Sequence, residues 1–153
     1  MLRASLKTQL TLRLLEKGKG GWGSKRKVFR DALNLKMAWE TTKKKVIIDL
    51  TFKFSIGVIS YCDELEAQKK YVLARQLLKS GTSIGANSWE AQNAESKADF
   101  IHKFKIAAKE VDETEYWLQL CKEAKNYPDP DNLIKELLVI IKVISKIISS
   151  AKD

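Results

Sequence analysis

Ser96, Asp99 and His102 stand three residues apart, carry the residue types of a hydrolytic triad, and include the one histidine of the chain. Their spacing argues against that chemistry. On a helix three such side chains fan outward from a single face, whereas a nucleophile, its base and an orienting carboxylate must converge around a substrate. The same spacing reads well as a helix start, with Ser96 as N-cap and the Asp99 carboxylate near the positive end of the helix. One histidine also cannot supply the paired Glu-x-x-His motifs of a dimetal bundle. The run from Ser80 to Asn87, SGTSIGAN, lacks the Lys-Ser/Thr ending of a phosphate-binding loop and sits inside a helical pattern. Cys62 and Cys121 show no CxxC spacing, so neither a disulfide framework nor a zinc site is expected. No catalytic, metal-ligating or cofactor-binding residue emerges, and the chain reads as noncatalytic.

The polar residues that remain are better suited to joining helices. Gln76, Ser80, Ser83, Asn87 and Glu90 recur every three or four positions, which places them on one helix face beside Leu77, Gly81, Ile84 and Ala91. Buried hydroxyls and amides need partners, because leaving one unpaired costs about 1–3 kcal/mol. Glu110 or Glu113, within the acidic run Glu110 to Glu115, is expected to meet the Ser80, Ser83 and Asn87 stripe across two helices and fix their register. The plainer alternative is a solvated acidic face with a Lys109–Glu113 pair at i,i+4. Gly81 and Gly85 would let a neighbouring backbone approach, at about 1 kcal/mol of helix propensity each.

A family resemblance is carried by these positions. The run Gln76 to Asn87, QLLKSGTSIGAN, followed by Glu90-Ala91, Ser96, Asp99-Phe100, Lys109-Glu110, Glu113-Thr114 and Tyr116-Trp117-Leu118, resembles a bacterial four-helix bundle family. That family includes proteins encoded within intervening sequences of large-subunit ribosomal RNA, and it is similar to the accessory variability protein of diversity-generating retroelements. The resemblance spans about Lys45 to the C-terminus. Ser88-Trp89 departs from it, standing where the family commonly has an aliphatic and then a polar residue. What the resemblance implies is an all-α, antiparallel up-and-down four-helix bundle that assembles into a homo-oligomer, a pentamer, with no catalytic residues. It points to RNA or DNA as the partner class, together with a reverse transcriptase or a ribonucleoprotein.

Charge divides the chain. The formal net charge of +9 comes from residues 1–45, where 13 Lys and Arg against 3 Asp and Glu give +10. Residues 46–153 hold 15 against 16, giving −1. The basic character therefore belongs to an N-terminal extension, residues 1–45, attached to a near-neutral bundle domain, residues 46–153. Two readings of the extension stay open. Lys25, Arg26 and Lys27 form a nucleic-acid-binding arm beyond the break at Gly18 to Gly23, or the segment lies upstream of a true start at Met37. The extension as a whole is expected to be poorly ordered, having too few long apolar stretches to offset the entropy of ordering it. Within the bundle, Lys69, Lys70, Arg75 and Lys79 are the candidate phosphate contacts, multiplied by assembly; ordinary solvated lysines are the alternative. A purely structural protein-interaction module that binds no nucleic acid is the competing function.

Four helices are expected to position these groups. The first runs from about Val46 to Glu66 with Ile47, Leu50, Phe54, Val58, Tyr61 and Leu65 inward. Leu50, Phe52, Phe54, Ile56 and Val58 also alternate with small or polar residues, which alone favours a strand; the 3.6-residue period continuing through Tyr61 and Leu65, and the resemblance, favour the helix. The second spans about Lys69 to Asn93, and the third Lys97 to Lys125, with Phe100, Phe104, Ala107, Val111, Thr114, Leu118 and Cys121 as its seam. Tyr127-Pro128-Asp129-Pro130 then breaks the chain, with Asp129 as cap and Pro130 as first residue of the fourth helix. That helix is apolar around about half its circumference, and Ile134, Leu138, Ile141 and Val143 are the candidate oligomer interface. Lys135, Glu136, Lys142 and Lys146 make a membrane span costly. With no continuous apolar stretch of the secretory type near the N-terminus, the expected location is the reducing cytoplasm.

Overall fold

The structure, a computed structural model, describes the backbone of residues 22–152 and the side chains of Arg30, Asp31 and residues 45–151. The described chain is helical, with no strand among the described residues: α1 (Trp22–Ala67), α2 (Tyr71–Glu90), a 3-10 turn (Ala91–Asn93), α3 (Lys97–Glu123) and α4 (Asp131–Lys152). The chain divides into two units at Lys43 and Lys44. Residues 1–21 lie outside the described residues, and with them the first leucines and the expected glycine break as far as Gly21; Trp22 and Gly23, its last two residues, open α1. The helix expected to begin at Val46 begins instead at Trp22. The reason is local: from Ser24 to Lys45 the sequence has no proline or glycine and is rich in Lys, Arg, Ala, Leu and Met, all good helix formers.

The boundaries follow from caps. α1 ends in a Schellman turn, with the Lys70 N–H donating to the Leu65 carbonyl at 2.9 Å and the Lys69 N–H to Glu66 at 2.8 Å. Lys69 holds the left-handed backbone position of that turn, φ 63°, a place usually taken by glycine. α3 starts as its sequence requires, the Asp99 N–H donating to Ser96 Oγ at 3.1 Å while Asp99 Oδ2 accepts from the Glu95 N–H at 3.2 Å. At α4, Asp129 Oδ1 accepts from the Asp131 N–H at 3.0 Å, and the Pro130 carbonyl from the Ile134 N–H at 3.0 Å. Asp129 thus caps the start of α4, which begins at Asp131, one residue after the expected Pro130.

The second unit, from Lys44 onward, has one core fed by every helix. Phe54, Val58 and Leu65 of α1, Leu77 and Ile84 of α2, Phe104, Val111 and Leu118 of α3, and Leu137, Ile140 and Ile144 of α4 are all buried. α1 approaches α2 where a Cβ on Gly81 would lie 2.9 Å from both Val58 methyls, and where one on Gly85 would lie 3.0 Å from Ser55 Oγ. It approaches α4 at Gly57, whose Cβ would lie 3.0 Å from Leu133 Cδ2. α3 joins α2 through a Lys103–Glu90 ion pair of 2.6 Å and α4 through a Lys122–Asp131 pair of 2.8 Å. Tyr61 ties the α3–α4 loop back to α1, its hydroxyl donating to the Pro128 carbonyl at 2.7 Å.

Candidate functional site

Ser96 and Asp99 are occupied in capping α3, and His102 on the following turn is exposed. They do not enclose a cavity. Among the described residues, no group of three or more His, Cys, Asp and Glu could hold a metal ion. Cys62 and Cys121 are free and buried. Cys62 Sγ donates to the Ala74 carbonyl at 3.3 Å, and burial, reinforced by the nearby Asp63 charge, pushes its thiol up to about 12. Burial also raises Cys121 and Tyr61. A thiol held neutral in this way is a poor nucleophile, so both cysteines act as core packing.

The polar stripe of α2 lies where its spacing placed it, but its hydrogen bonds run along the helix. Ser80, fully buried, donates from Oγ to the Gln76 carbonyl at 3.2 Å, and Asn87 Nδ2 donates to the Ser83 carbonyl at 2.9 Å. On α3 the Thr114 hydroxyl donates to the Glu110 carbonyl at 2.6 Å, and Glu113 Oε1 accepts from Trp117 Nε1 at 3.2 Å. Among the described residues no hydrogen bond joins Glu110 or Glu113 to Ser80, Ser83 or Asn87. The expected bridge does not form within one chain because short polar side chains in a helix can satisfy themselves on the carbonyl four residues back. The polar link that does cross from α2 to α3 is Glu90 to Lys103, and that contact raises the Lys103 ammonium. Gln76 is exposed and makes no such link.

The basic candidates differ in their local roles. Lys69 forms the left-handed stop of α1, and the Lys70 ammonium sits 4.6 Å above the centre of the Tyr127 ring. Arg75 and Lys79 are exposed on α2. The side chains of Lys25, Arg26 and Lys27 lie outside the described residues. On α4, Ile134, Ile141 and Val143 are half-buried against the core, and Leu138 is 45% exposed. Val139 beside it is 48% exposed.

A second apolar surface lies away from α4, outside the candidate site residues. Along the outer side of α1 and α2, Phe52 is 62% exposed and Trp89 59%. They flank a groove of about 280 Å³ whose other walls are Ile48, Thr51, Ser55, Thr82, Gly85 and Ala86. Ile56, Ile59 and Leu78 extend the exposed surface. Two signals pointed to it: the strand-like alternation of α1, and the Ser88-Trp89 departure. Ser88 is buried with its hydroxyl on the Ile84 carbonyl at 2.8 Å, so the polar residue takes the inward position and the indole the outward one.

Among the described residues no helix is long and apolar enough to cross a membrane. No curated protein matches the chain. Among solved structures it is similar to a protein of unknown function from the S23 ribosomal protein family of Bacteroides thetaiotaomicron. The two are 38% identical with a TM-score of 0.66, and the match covers 70% of this chain and 98% of that one. A family model described as 23S rRNA-intervening sequence protein matches residues 43–150, and the chain belongs to that family.

Proposed function

We propose that the protein is a noncatalytic, homo-oligomeric scaffold built on an antiparallel up-and-down four-helix bundle, acting in the cytoplasm on RNA or on a ribonucleoprotein. The antiparallel order is supported by the α1–α2 approaches, where Val58 stands against Gly81 while the earlier Ser55 stands against the later Gly85. The observation that carries assembly is apolar surface left outside a core that already closes, with Phe52 and Trp89 both substantially exposed. A chain selected only to fold gains nothing from such surface, whereas patches of this kind mark interfaces. A pentamer is the subunit count implied by the resemblance. The nucleic-acid component rests on the family's description and on the +10 carried by residues 1–45.

The −1 of residues 46–153 favours a second reading, an interaction module whose partners are proteins alone. Salt-titrated binding of a hairpin RNA to chains beginning at Met1 and at Met37 separates the two. Phosphate contacts predict that log K falls linearly with log salt, by about 0.9 per phosphate neutralised. The expected result is a steep slope for the longer chain and a shallower one for the shorter, which lacks Lys25, Arg26 and Lys27. Equal slopes would move the contact onto Lys69, Lys70, Arg75 and Lys79, and no binding by either chain at low salt would leave the protein-only module.

A further inference from the structure

The α1–α2 face is apolar along its length. On α1, Ile48, Phe52, Ser55 and Ile59 follow one another at helical spacing along a single stripe, and on α2 Leu78, Thr82, Ala86 and Trp89 do the same. Neither stripe contains a charge. Between them the floor is made of small groups, Ser55, Thr82, Gly85 and Ala86, which lets another helix come close. At the rim Lys45, Arg75 and Lys79 alternate with Asp49, Asp63, Glu66 and Glu90, all exposed.

Three occupants are conceivable, and charge and area choose between them. An anionic lipid surface needs a polar rim dominated by Lys and Arg, and this rim is of mixed sign. A strongly charged foreign partner would find no field to steer it, since residues 46–153 sum to −1. A second copy is likewise close to neutral over residues 46–153 and repels nothing, and in a cyclic pentamer it would meet this face with a different face of its own. Phe52, Ile56, Ile59, Leu78 and Trp89 are 62%, 51%, 42%, 37% and 59% exposed, which for side chains of this size leaves about 450 Å² of apolar surface. A standard interface buries about 800 Å² per partner, a little over half of it apolar, so this face alone is large enough.

We propose that a second copy of this chain covers the α1–α2 face, with Phe52 and Trp89 as the anchoring side chains on either side of the groove. The proposal rests on the homo-oligomeric reading above and specifies one of the two patches a ring contact joins: the α1–α2 face, in place of the α4 stripe of Ile134, Leu138, Ile141 and Val143. Multi-angle light scattering and sedimentation equilibrium on the full chain, with Phe52→Glu, Trp89→Ala and Leu138→Glu beside it, test both levels. Circular dichroism verifies that the variants remain helical, as substitutions at exposed positions should, and Trp89→Ala introduces no charge, so it tests the anchor without repulsion. The expected result is an assembled wild type and Leu138→Glu, with Phe52→Glu and Trp89→Ala each weakening association by at least about 30-fold, the effect of an anchoring residue. An assembled Phe52→Glu and Trp89→Ala would overturn the proposal while leaving the homo-oligomer standing. A wild type that is monomeric at all concentrations would overturn both.

Discussion

Gly81 offers the sharpest test of how α1 and α2 pack. Replacing glycine by alanine in a helix interior ordinarily stabilises by about 1 kcal/mol. At Gly81 the added Cβ would stand 2.9 Å from Cγ1 and Cγ2 of Val58 and 3.4 Å from its Cβ, against an optimum of about 3.5–4.0 Å between carbons. Both methyls are struck, and valine in a helix has one strongly preferred χ1 rotamer, so rotation does not clear the space. Overpacking of this kind costs about 1–3 kcal/mol, which leaves Gly81→Ala about 1 kcal/mol less stable after the propensity gain. Val58→Ala removes both methyls; in that background the same substitution should stabilise by about 1 kcal/mol, giving a coupling of about 2 kcal/mol. Urea denaturation of the four proteins, followed by circular dichroism, measures it. If Gly81→Ala raises the stability of the wild type, or changes it equally in both backgrounds, the close approach is not what the glycine is for.

Two further outcomes follow from single residues. Lys69→Gly should stabilise by about 1 kcal/mol in the same assay, because the left-handed turn at φ 63° strains any side chain that occupies it; with Lys69 on a phosphate-tracking surface, the salt slope of RNA binding would also fall by about one. Alkaline pH should destabilise the fold: the Cys62 thiol ordinarily loses its proton near 9 but is held up to about 12 when folded, so the unfolded chain releases that proton first. Stability is then flat below about pH 9 and declines by about 1.4 kcal/mol per pH unit for each such group above it. Urea midpoints between pH 8 and 11 should fall less steeply for Cys62→Ala, and an unchanged slope would mean that burial of this thiol is not what the titration reports.

The inside of the bundle was legible in the sequence, and its outside was much less so. Every position of the α3 seam from Phe104 to Cys121 is buried, as are Ile47, Phe54, Val58, Tyr61 and Leu65 of α1, because a core stripe repeats with the helix period. Caps were legible too, since Ser96 and Asp129 need only a local geometry. The N-terminal reach of α1 was not, because solvation and helix propensity leave no periodic signature in a run such as Lys25 to Lys45. The polar stripe shows a limit of spacing: Ser80 and Asn87 bond back to carbonyls of their own helix, and spacing cannot distinguish that from a bond across to the next one.

The alternation from Leu50 to Val58 shows how one pattern can carry two messages. A strand and a two-faced helix write the same short text: Phe54 and Val58 point into the core with no exposure, while Phe52 and Ile56, offset by two residues, remain 62% and 51% exposed. A helix apolar on one face only would have put polar residues at 52 and 56, and the ambiguity would not have arisen. The conflict between the two periods therefore measures the surplus of apolar surface beyond what folding uses. The same surplus appears on α2, where Trp89 faces outward next to a buried Ser88 whose hydroxyl its own helix satisfies. Two neighbouring helices that break the inside-outside rule along a shared edge place the unmet demand for burial on that edge, and a second chain is what can meet it.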